Sequence, residues 1–292
     1  MSITIKEALN RASFKLRNAG IELPRREAEA LMCGCLEISL ACLYAHGEGI
    51  LTADDNVRFT SWVSRRAAGE PYAYIIGLRE FMGLDFLVTP AVLVPRPETE
   101  ILVEAVHCEL KNHPSPRILE IGTGSGAIAV SLAVLLRAAH VTATDVSLAA
   151  LEVAAKNASR HGVQDRVHCL HSDLYDRGTG ELSTFINCEG AAYHAVVSNP
   201  PYIATTEIAL LAPTVREFEP LGALDGGDDG LSFYRRLTGE LDVLPHRPHL
   251  LVFEVGAGQA EAVAGLCRQA GYKTTRQFPD LSGIPRVILA QD

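Results

Sequence analysis

The sequence predicts an α/β fold: a mostly parallel sheet covered by helices on both faces, preceded by a small helical domain. Three observations predict it. From residue 98 onward, apolar stretches of strand length alternate with helical stretches, and repeated βα units require a parallel sheet buried on both faces. The first of those strands runs directly into a glycine-rich loop and an apolar helix, the arrangement by which open α/β sheets hold ligands. The first seventy residues instead carry apolar side chains at helical spacing.

Ile5, Ala8, Leu9, Ala12 and Leu16 place a first helix. A second opens at Pro24 and presents Ala28, Leu31, Met32, Cys35 and Leu36. A third runs from Asp54 to about Ala68, with Val57, Trp62 and Val63 as expected core contacts, and stops near Gly69 and Pro71. Residues 1–75 therefore read as a helical domain. Residues 81–88 and 91–94 alternate like two short strands around Thr89-Pro90, so 76–97 reads as a β-hairpin linker. Residues 98–292 form the sheet domain, with strands expected at 117–121, 141–145, 167–171, 195–198, 250–255, 273–277 and 286–290.

The 292 residues are 48% apolar and 21% charged, with 24 Gly and 15 Pro, which excludes disordered, collagenous and low-complexity classes. No apolar run reaches the ~20 residues of a membrane span. The N-terminus lacks the basic start and apolar stretch of a secretory signal, and seven cysteines at irregular spacing fit a reducing compartment, so a cytoplasmic location is expected. Residues 1–97 hold 11 basic and 11 acidic side chains; the other 15 basic and 24 acidic lie in 98–292, so the whole net charge of −9 falls on the sheet domain. That balance disfavours a phosphate-rich nucleic-acid substrate.

The glycine loop is Gly122-Thr123-Gly124-Ser125-Gly126, and the next strand ends at Asp145, placed to accept hydrogen bonds from two ribose hydroxyls. The Gly-x-Gly-x-Gly spacing differs from both the dinucleotide fingerprint and the phosphate-binding P-loop. It resembles the first motif of S-adenosylmethionine (SAM) methyltransferases. A dinucleotide site and a purely structural turn stay open on the loop alone. Asp145 is equally a candidate cap for the following helix, where Ser147 competes.

The fourth strand runs into Asn199-Pro200-Pro201-Tyr202. Two prolines cannot continue a central ladder, so the chain leaves the sheet at the same edge as the glycine loop. The Asn199 side-chain oxygen and the Pro200 carbonyl are then candidate acceptors for the two N–H groups of a planar amide or aromatic amine, with Tyr202 packing against its plane. A proline-terminated strand with a capping Asn is the plainer alternative.

Asn-Pro-Pro-Tyr is shared by methyltransferases acting on adenine in DNA, glutamine in proteins and exocyclic guanine in RNA. Further segments narrow the resemblance: Arg66-x-x-Gly69-Glu-Pro71-x-x-Tyr74-Ile-x-Gly77, Glu80-Phe81-x-Gly83, and Val94-Pro95-Arg96-Pro97-Glu98-Thr99-Glu100. So do Glu219-Pro-Leu-x-Ala223-Leu-Asp-Gly-Gly227-x-x-Gly230-Leu and Asp280-Leu-x-Gly283-x-Pro-Arg286-Val. Together these resemble the HemK/PrmC family of protein-glutamine N5-methyltransferases, which modify the Gly-Gly-Gln glutamine of peptide chain release factors.

The resemblance implies a class I SAM-dependent methyltransferase, Rossmann-like and seven-stranded, behind a helical domain that recognises the protein substrate. It implies SAM held by Gly122, Thr123, Gly124, Ser125, Gly126, Asp145, Asp173, Leu174 and Asn199. Glutamine would be held by Asn199, Pro200, Pro201 and Tyr202, with Asn199 and Pro200 catalytic. Some members carry an aromatic residue facing the adenine where this chain has Leu174, so stacking there is replaced by apolar contact. Release factors are the implied partners, with neither a nucleic-acid substrate nor a membrane; an adenine-type amino-group methyltransferase is the competing class. Cys33-x-Cys35 points to different faces of a helix and reads as core packing, and no metal is expected. Arg96 and Glu98 read equally as a closure over the cofactor and as a salt bridge within the linker.

Overall fold

A computed structural model describes residues 3–175, 180–189 and 192–292, which include every candidate site residue; the first two residues of the predicted helical domain lie outside them. The chain divides into two compact units, residues 1–78 with 212–218 and residues 79–211 with 219–292.

The first unit contains α1 (Ile5–Asn18), α2 (Pro24–Leu36), α3 (Leu40–Ala45), α4 (Ala53–Ala67) and α5 (Tyr72–Ile76). Thr4 and Glu7 cap α1 reciprocally: the Thr4 hydroxyl accepts the Glu7 N–H and the Glu7 carboxylate accepts the Thr4 N–H. The α1 and α2 stripes predicted from spacing are buried, from Ile5 to Leu16 and from Ala28 to Cys35. On α4 the core contacts are Phe59 and Val63, one turn apart, while Val57 is 68% exposed. Val57 sits two residues from Phe59, about 200° around the axis, so both cannot face inward. The helices α3 and α5 are too short to display a period and were not foreseen.

β1 (Leu78–Phe81), of which all but Leu78 falls in the second unit, and β2 (Leu84–Leu87) form the hairpin, turning through Met82 and Gly83, both at positive φ. The hairpin therefore lies earlier than the alternation at 81–88 and 91–94 suggested. Pro90 and Pro95 remove donors on either side of 91–94; the segment instead opens on a turn in which the Val92 N–H donates to the Thr89 carbonyl. Val92 and Val94 are buried as anchors of an irregular segment, which imitates a strand's alternation.

The main sheet comprises β3 (Arg117–Ile121), β4 (His140–Asp145), β5 (Val167–His171), β6 (Ala195–Ser198), β7 (Leu250–Glu254), β8 (Thr274–Pro279) and β9 (Pro285–Gln291). Its order is β5-β4-β3-β6-β7-β9-β8, parallel except for β9, which runs antiparallel to both neighbours. Helices α6 (Glu100–Leu110), α7 (Ala127–Leu135), α8 (Leu148–Arg160), α9 (Glu181–Glu189), α10 (Pro213–Arg216), α11 (Ser232–Gly239) and α12 (Ala260–Gln269) complete the chain, α10 falling in the first unit.

Successive strand residues feed two separate cores. Ile118, Val197, Val252 and Leu289 pack with α6, α7 and the hairpin's Phe81 and Phe86. Leu119, Val196, Phe253 and Ile288 pack with α9, α11 and α12. Strands buried on both faces must be apolar at every position, as in Leu-Leu-Val-Phe of β7. From β3 the chain builds outward through β4 and β5, then returns to β6 on the other side of β3. That reversal opens a crevice at the carboxyl ends of β3 and β6.

Asn157 of α8, fully buried, ties the hairpin to the glycine loop. Its Nδ2 donates to the Leu87 and Ser125 carbonyls (2.9 and 2.8 Å), and its Oδ1 accepts the Leu87 N–H (2.7 Å). Asn157→Leu keeps the branched shape but strands one buried and two partly buried backbone groups, and is expected to cost about 3 kcal/mol. Denaturant unfolding checks this; a loss under about 1 kcal/mol would mean those groups find other partners.

Candidate active site

β3 delivers the glycine loop. Gly122, Gly124 and Gly126 have φ of +76°, +54° and +79°, the region that only glycine enters freely. At Gly126 a Cβ would also lie 3.1 Å from the Ala154 backbone of α8, so this glycine sets helix packing, while Gly122 and Gly124 border open space. The loop is fastened to β4: the Gly122 and Thr123 N–H groups donate to the Thr144 carbonyl and the Gly124 N–H donates to Asp145 Oδ2, each at 2.9 Å. Asp145 Oδ1 accepts the Ser147 N–H at 2.9 Å. Ser147 itself caps α8 through the Ala150 N–H, so the capping role goes to Ser147. A carboxylate offers about four acceptor positions, and two at Asp145 remain for a ligand.

The loop borders a cleft of about 240 Å³, lined by Gly122, Thr123, Gly124, Ser125, Asp145, Asp173, Leu174, Asn199, Pro200 and Pro201 among others. Two of the residues singled out from the sequence do not line it. Gly126 lies behind the loop against α8, and Tyr202 is half-buried against the α11 and α12 core, its carbonyl accepting from Gln259 Nε2 at 2.9 Å. Burial pushes the Tyr202 hydroxyl up to about 12. Asp173 is exposed and pairs with Arg236 at 3.1 Å. Leu174 is buried at φ +53°, a strained conformation for a branched side chain, and the Ser172 hydroxyl holds its carbonyl at 2.9 Å.

β6 delivers Asn199. The Ser198 hydroxyl donates to the Ile121 carbonyl of β3 at 2.7 Å, locking the two strand ends together. Asn199 Nδ2 donates to Thr99 Oγ1 at 3.2 Å, and the Thr99 hydroxyl donates to Glu254 Oε2 at 2.5 Å. Among the described residues nothing donates to the Pro200 carbonyl.

The 94–100 and 219–231 segments brace the β6 exit, and the others fix local turns. Arg96 reaches both oxygens of Glu219, 2.7 Å each, with the Glu219 side chain 2% exposed. The pair thus joins 94–100 to the distant 219–231 loop, so the Arg96 salt bridge is a long-range tie and does not lie within the linker. That loop presses on the Asn-Pro-Pro-Tyr backbone: a Cβ on Gly226 would fall 2.8 Å from the Pro201 carbonyl oxygen, and one on Gly230 2.3 Å from that of Tyr202. Glu100 accepts the Met82 N–H and Glu80 the Gly83 N–H, both at 2.7 Å, fixing the hairpin turn. Asp280 gathers the Ser282 and Ile284 N–H groups and pairs with Arg286 at 2.9 Å.

Two buried carboxyls at this edge were not singled out from the sequence. Glu120 Oε2 accepts the Thr123 hydroxyl at 2.7 Å while Oε1 has no partner among the described residues; burial pushes the group up to about 8. Burial likewise raises Glu254 to about 7. The available signal was an acid closing an otherwise apolar strand, in Ile-Leu-Glu120-Ile and in Leu-Val-Phe-Glu254.

Comparison with known proteins agrees with this geometry. The PrmC N-terminal domain model matches residues 7–77 and the methyltransferase small domain model residues 97–216. The release factor glutamine methyltransferase of Moorella thermoacetica is 43% identical over 289 residues, covering 99% of this chain and 98% of its own. The chain belongs to the release factor glutamine methyltransferase family. Members from Geobacter sulfurreducens (38% identical, 98% of this chain and 95% of its own) and Bordetella pertussis (43%, 91% and 94%) are similar along the same length. Among solved structures, the hMettl16 catalytic domain in complex with an RNA hairpin aligns with TM-score 0.57 at 18% identity over 82% of each chain, a likeness of fold alone. Two of the segments that carry the resemblance, 94–100 and 219–231, thus brace the cleft as well as line it.

Glu120 binds a proton in the folded protein at pH values where the unfolded chain has released it. Stability should therefore fall as pH rises from about 4.5 toward 8, by a few kcal/mol in all. Glu120→Gln should reduce that slope. Thermal melts across the range check this, and an unchanged slope would show that Glu120 does not hold the proton.

Proposed function

We infer that this chain transfers a methyl group from SAM to the side-chain amide nitrogen of the glutamine in the Gly-Gly-Gln segment of a peptide chain release factor. One observation carries the reading: in a chain of this family, the glycine loop with Asp145 and the Asn199-Pro200 turn border one cleft. No described helix is long and apolar enough to cross a membrane.

The residues present fit SAM better than a dinucleotide. Glu120 lies beneath the loop with one oxygen unpartnered, Asp145 lies beside it, and Arg96, the one basic side chain lining the cleft among the described residues, is occupied by Glu219. An anionic pyrophosphate would meet the Asp145 carboxylate and no unengaged cation there, whereas the ammonium of SAM's amino-acid end would favour ionisation of Glu120 and give its unpartnered oxygen a donor. When bound, SAM supplies an electrophilic methyl on a sulfonium sulfur. Asp145 receives the ribose hydroxyls on its two remaining acceptor positions, and Leu174 offers an apolar face to the adenine. Asp173 and the loop backbone of Thr123 and Ser125 complete the border.

An amide nitrogen is a weak nucleophile because its lone pair is delocalised. Asn199 Oδ1 and the Pro200 carbonyl each accept one of its N–H groups, which fixes the nitrogen's direction of approach and favours the positive charge that develops on it. Pro201 walls the same end of the cleft. No strong base is required, since the methylated nitrogen is acidic and gives its proton to water. Residues 1–75 serve to grip a remote surface of the factor, so that binding energy gained there holds a mobile glycine-rich loop in the cleft. The acidic balance of residues 98–292 favours this over a nucleic-acid amino group.

Asp145→Ala should weaken SAM binding by about 2–4 kcal/mol in a calorimetric titration, and unchanged affinity would remove Asp145 from the site. Asn199→Ala should still bind SAM yet lose ~10²–10³ in turnover, a larger effect than on cofactor affinity. Incubation with SAM and an intact release factor, followed by mass spectrometry, should place one added methyl on the Gly-Gly-Gln glutamine. Methyl on nucleic acid instead would refute the substrate, and equal efficiency on a free peptide would refute the gripping role.

A further inference from the structure

Asn199 carries both a donor and an acceptor on one short side chain, and only one orientation suits an N–H-bearing target. Its Nδ2 meets Thr99 Oγ1 at 3.2 Å, and Thr99, 4% exposed, sends its single hydroxyl proton to Glu254 Oε2 at 2.5 Å. Once that proton is committed to the carboxylate, Thr99 has only lone pairs left for Asn199. The NH₂ end must then face Thr99, and Oδ1 turns toward the cleft. We propose that Glu254, acting through the Thr99 hydroxyl, is the positioning residue that fixes which end of the Asn199 carboxamide faces the cleft, and so selects a primary amide as the methyl acceptor. This rests on the reading of Asn199 as an acceptor for the target nitrogen.

The surroundings of Glu254 keep this arrangement sensitive to its charge. It is 2% exposed, on the last residue of β7. Arg96 and Arg286 act on it from nearby but are engaged by Glu219 and Asp280, Glu98 adds like charge, and the Tyr202 ring lies in the same field. The Tyr234 hydroxyl donates to the Glu254 backbone carbonyl at 2.7 Å and leaves the carboxyl to Thr99. Burial has raised Glu254 to about 7. Below that value the carboxyl holds a proton and donates it to Thr99. The Thr99 hydroxyl is then free to donate to Asn199 Oδ1, and the flipped amide, presenting N–H groups to the target's own N–H groups, becomes competitive. Turnover should therefore fall on acidification through neutrality while SAM binding persists.

The test uses the full chain with intact release factor, comparing wild type with Thr99→Val, Thr99→Ser and Glu254→Gln. Thr99→Val should lower kcat about 10–100-fold with SAM affinity unchanged, and Thr99→Ser should recover most of the loss. The acid limb of the kcat profile should vanish in Glu254→Gln, and thermal melts establish that each variant is folded. A second readout needs no turnover: the ¹⁵N resonance of the Asn199 carboxamide in the substrate-free protein should titrate near neutrality in wild type and not in Glu254→Gln. Wild-type kcat in Thr99→Val, or a wild-type Asn199 resonance indifferent to pH, would overturn the proposal. The two readings separate cleanly. Normal glutamine methylation by both wild type and Thr99→Val sinks the positioning role alone, whereas a titrating Asn199 in an enzyme that leaves the factor unmethylated sinks the substrate assignment and supports the contact.

Discussion

Two adjacent parallel strands, β3 and β6, must both end at one edge of the sheet, and the chain must leave that edge in opposite directions. The remainder of the site depends on how those two exits are held. At β3 the exit is a turn through three glycines pinned to β4 by backbone bonds. At β6 it is a double proline that cannot bond further along the ladder. The Ser198 hydroxyl on the Ile121 carbonyl fastens one exit to the other. The ligand-facing groups then need little more than continued separation from water and from one another.

That separation leaves acids in unusual places. Glu120, Glu219 and Glu254 are all buried close to this edge, and each has a different settlement. Glu219 is met by the Arg96 fork, Glu254 by one hydroxyl, and Glu120 by one hydroxyl with an oxygen left over. Burial of carboxyls is unfavourable unless partners compensate, so the uncompensated ones mark where a ligand's charge or a change in proton occupancy can act. Only the fully paired one, Glu219, has a purely architectural place, tying segments 123 residues apart.

The sheet and both loops were legible because their signals are local: strand-to-glycine, strand-to-proline, and an acid one strand on. What could not be read was anything requiring two distant segments at once. Arg96 and Glu98 were adjacent candidates for a shared role, yet the partner of Arg96 is Glu219, which no spacing rule connects to it. Thr99 lies in the Pro95–Glu100 run, and nothing in that run announces the Glu254 that β7 brings beside it. The segment at 91–94 misled for the opposite reason, since burial on alternate residues was taken for a strand where two prolines prevent one. Val57 failed because a helical period read without its phase cannot say which of two faces is buried.

The turn at Asn199 and Pro200 counts hydrogens. In the proposed function it offers the target nitrogen two acceptors, since the NH₂ end of the Asn199 amide is turned to Thr99 and proline contributes no N–H. An unmodified primary amide satisfies both acceptors. After one transfer and loss of a proton the nitrogen retains a single hydrogen, so one acceptor near the cleft floor is left unmet, at a cost of about 1–3 kcal/mol. The product would therefore be held less well than the substrate it came from. The same two oxygens proposed to prepare the first methylation would discourage a second, and the stoichiometry of the modification would follow from the absence of one N–H on a proline.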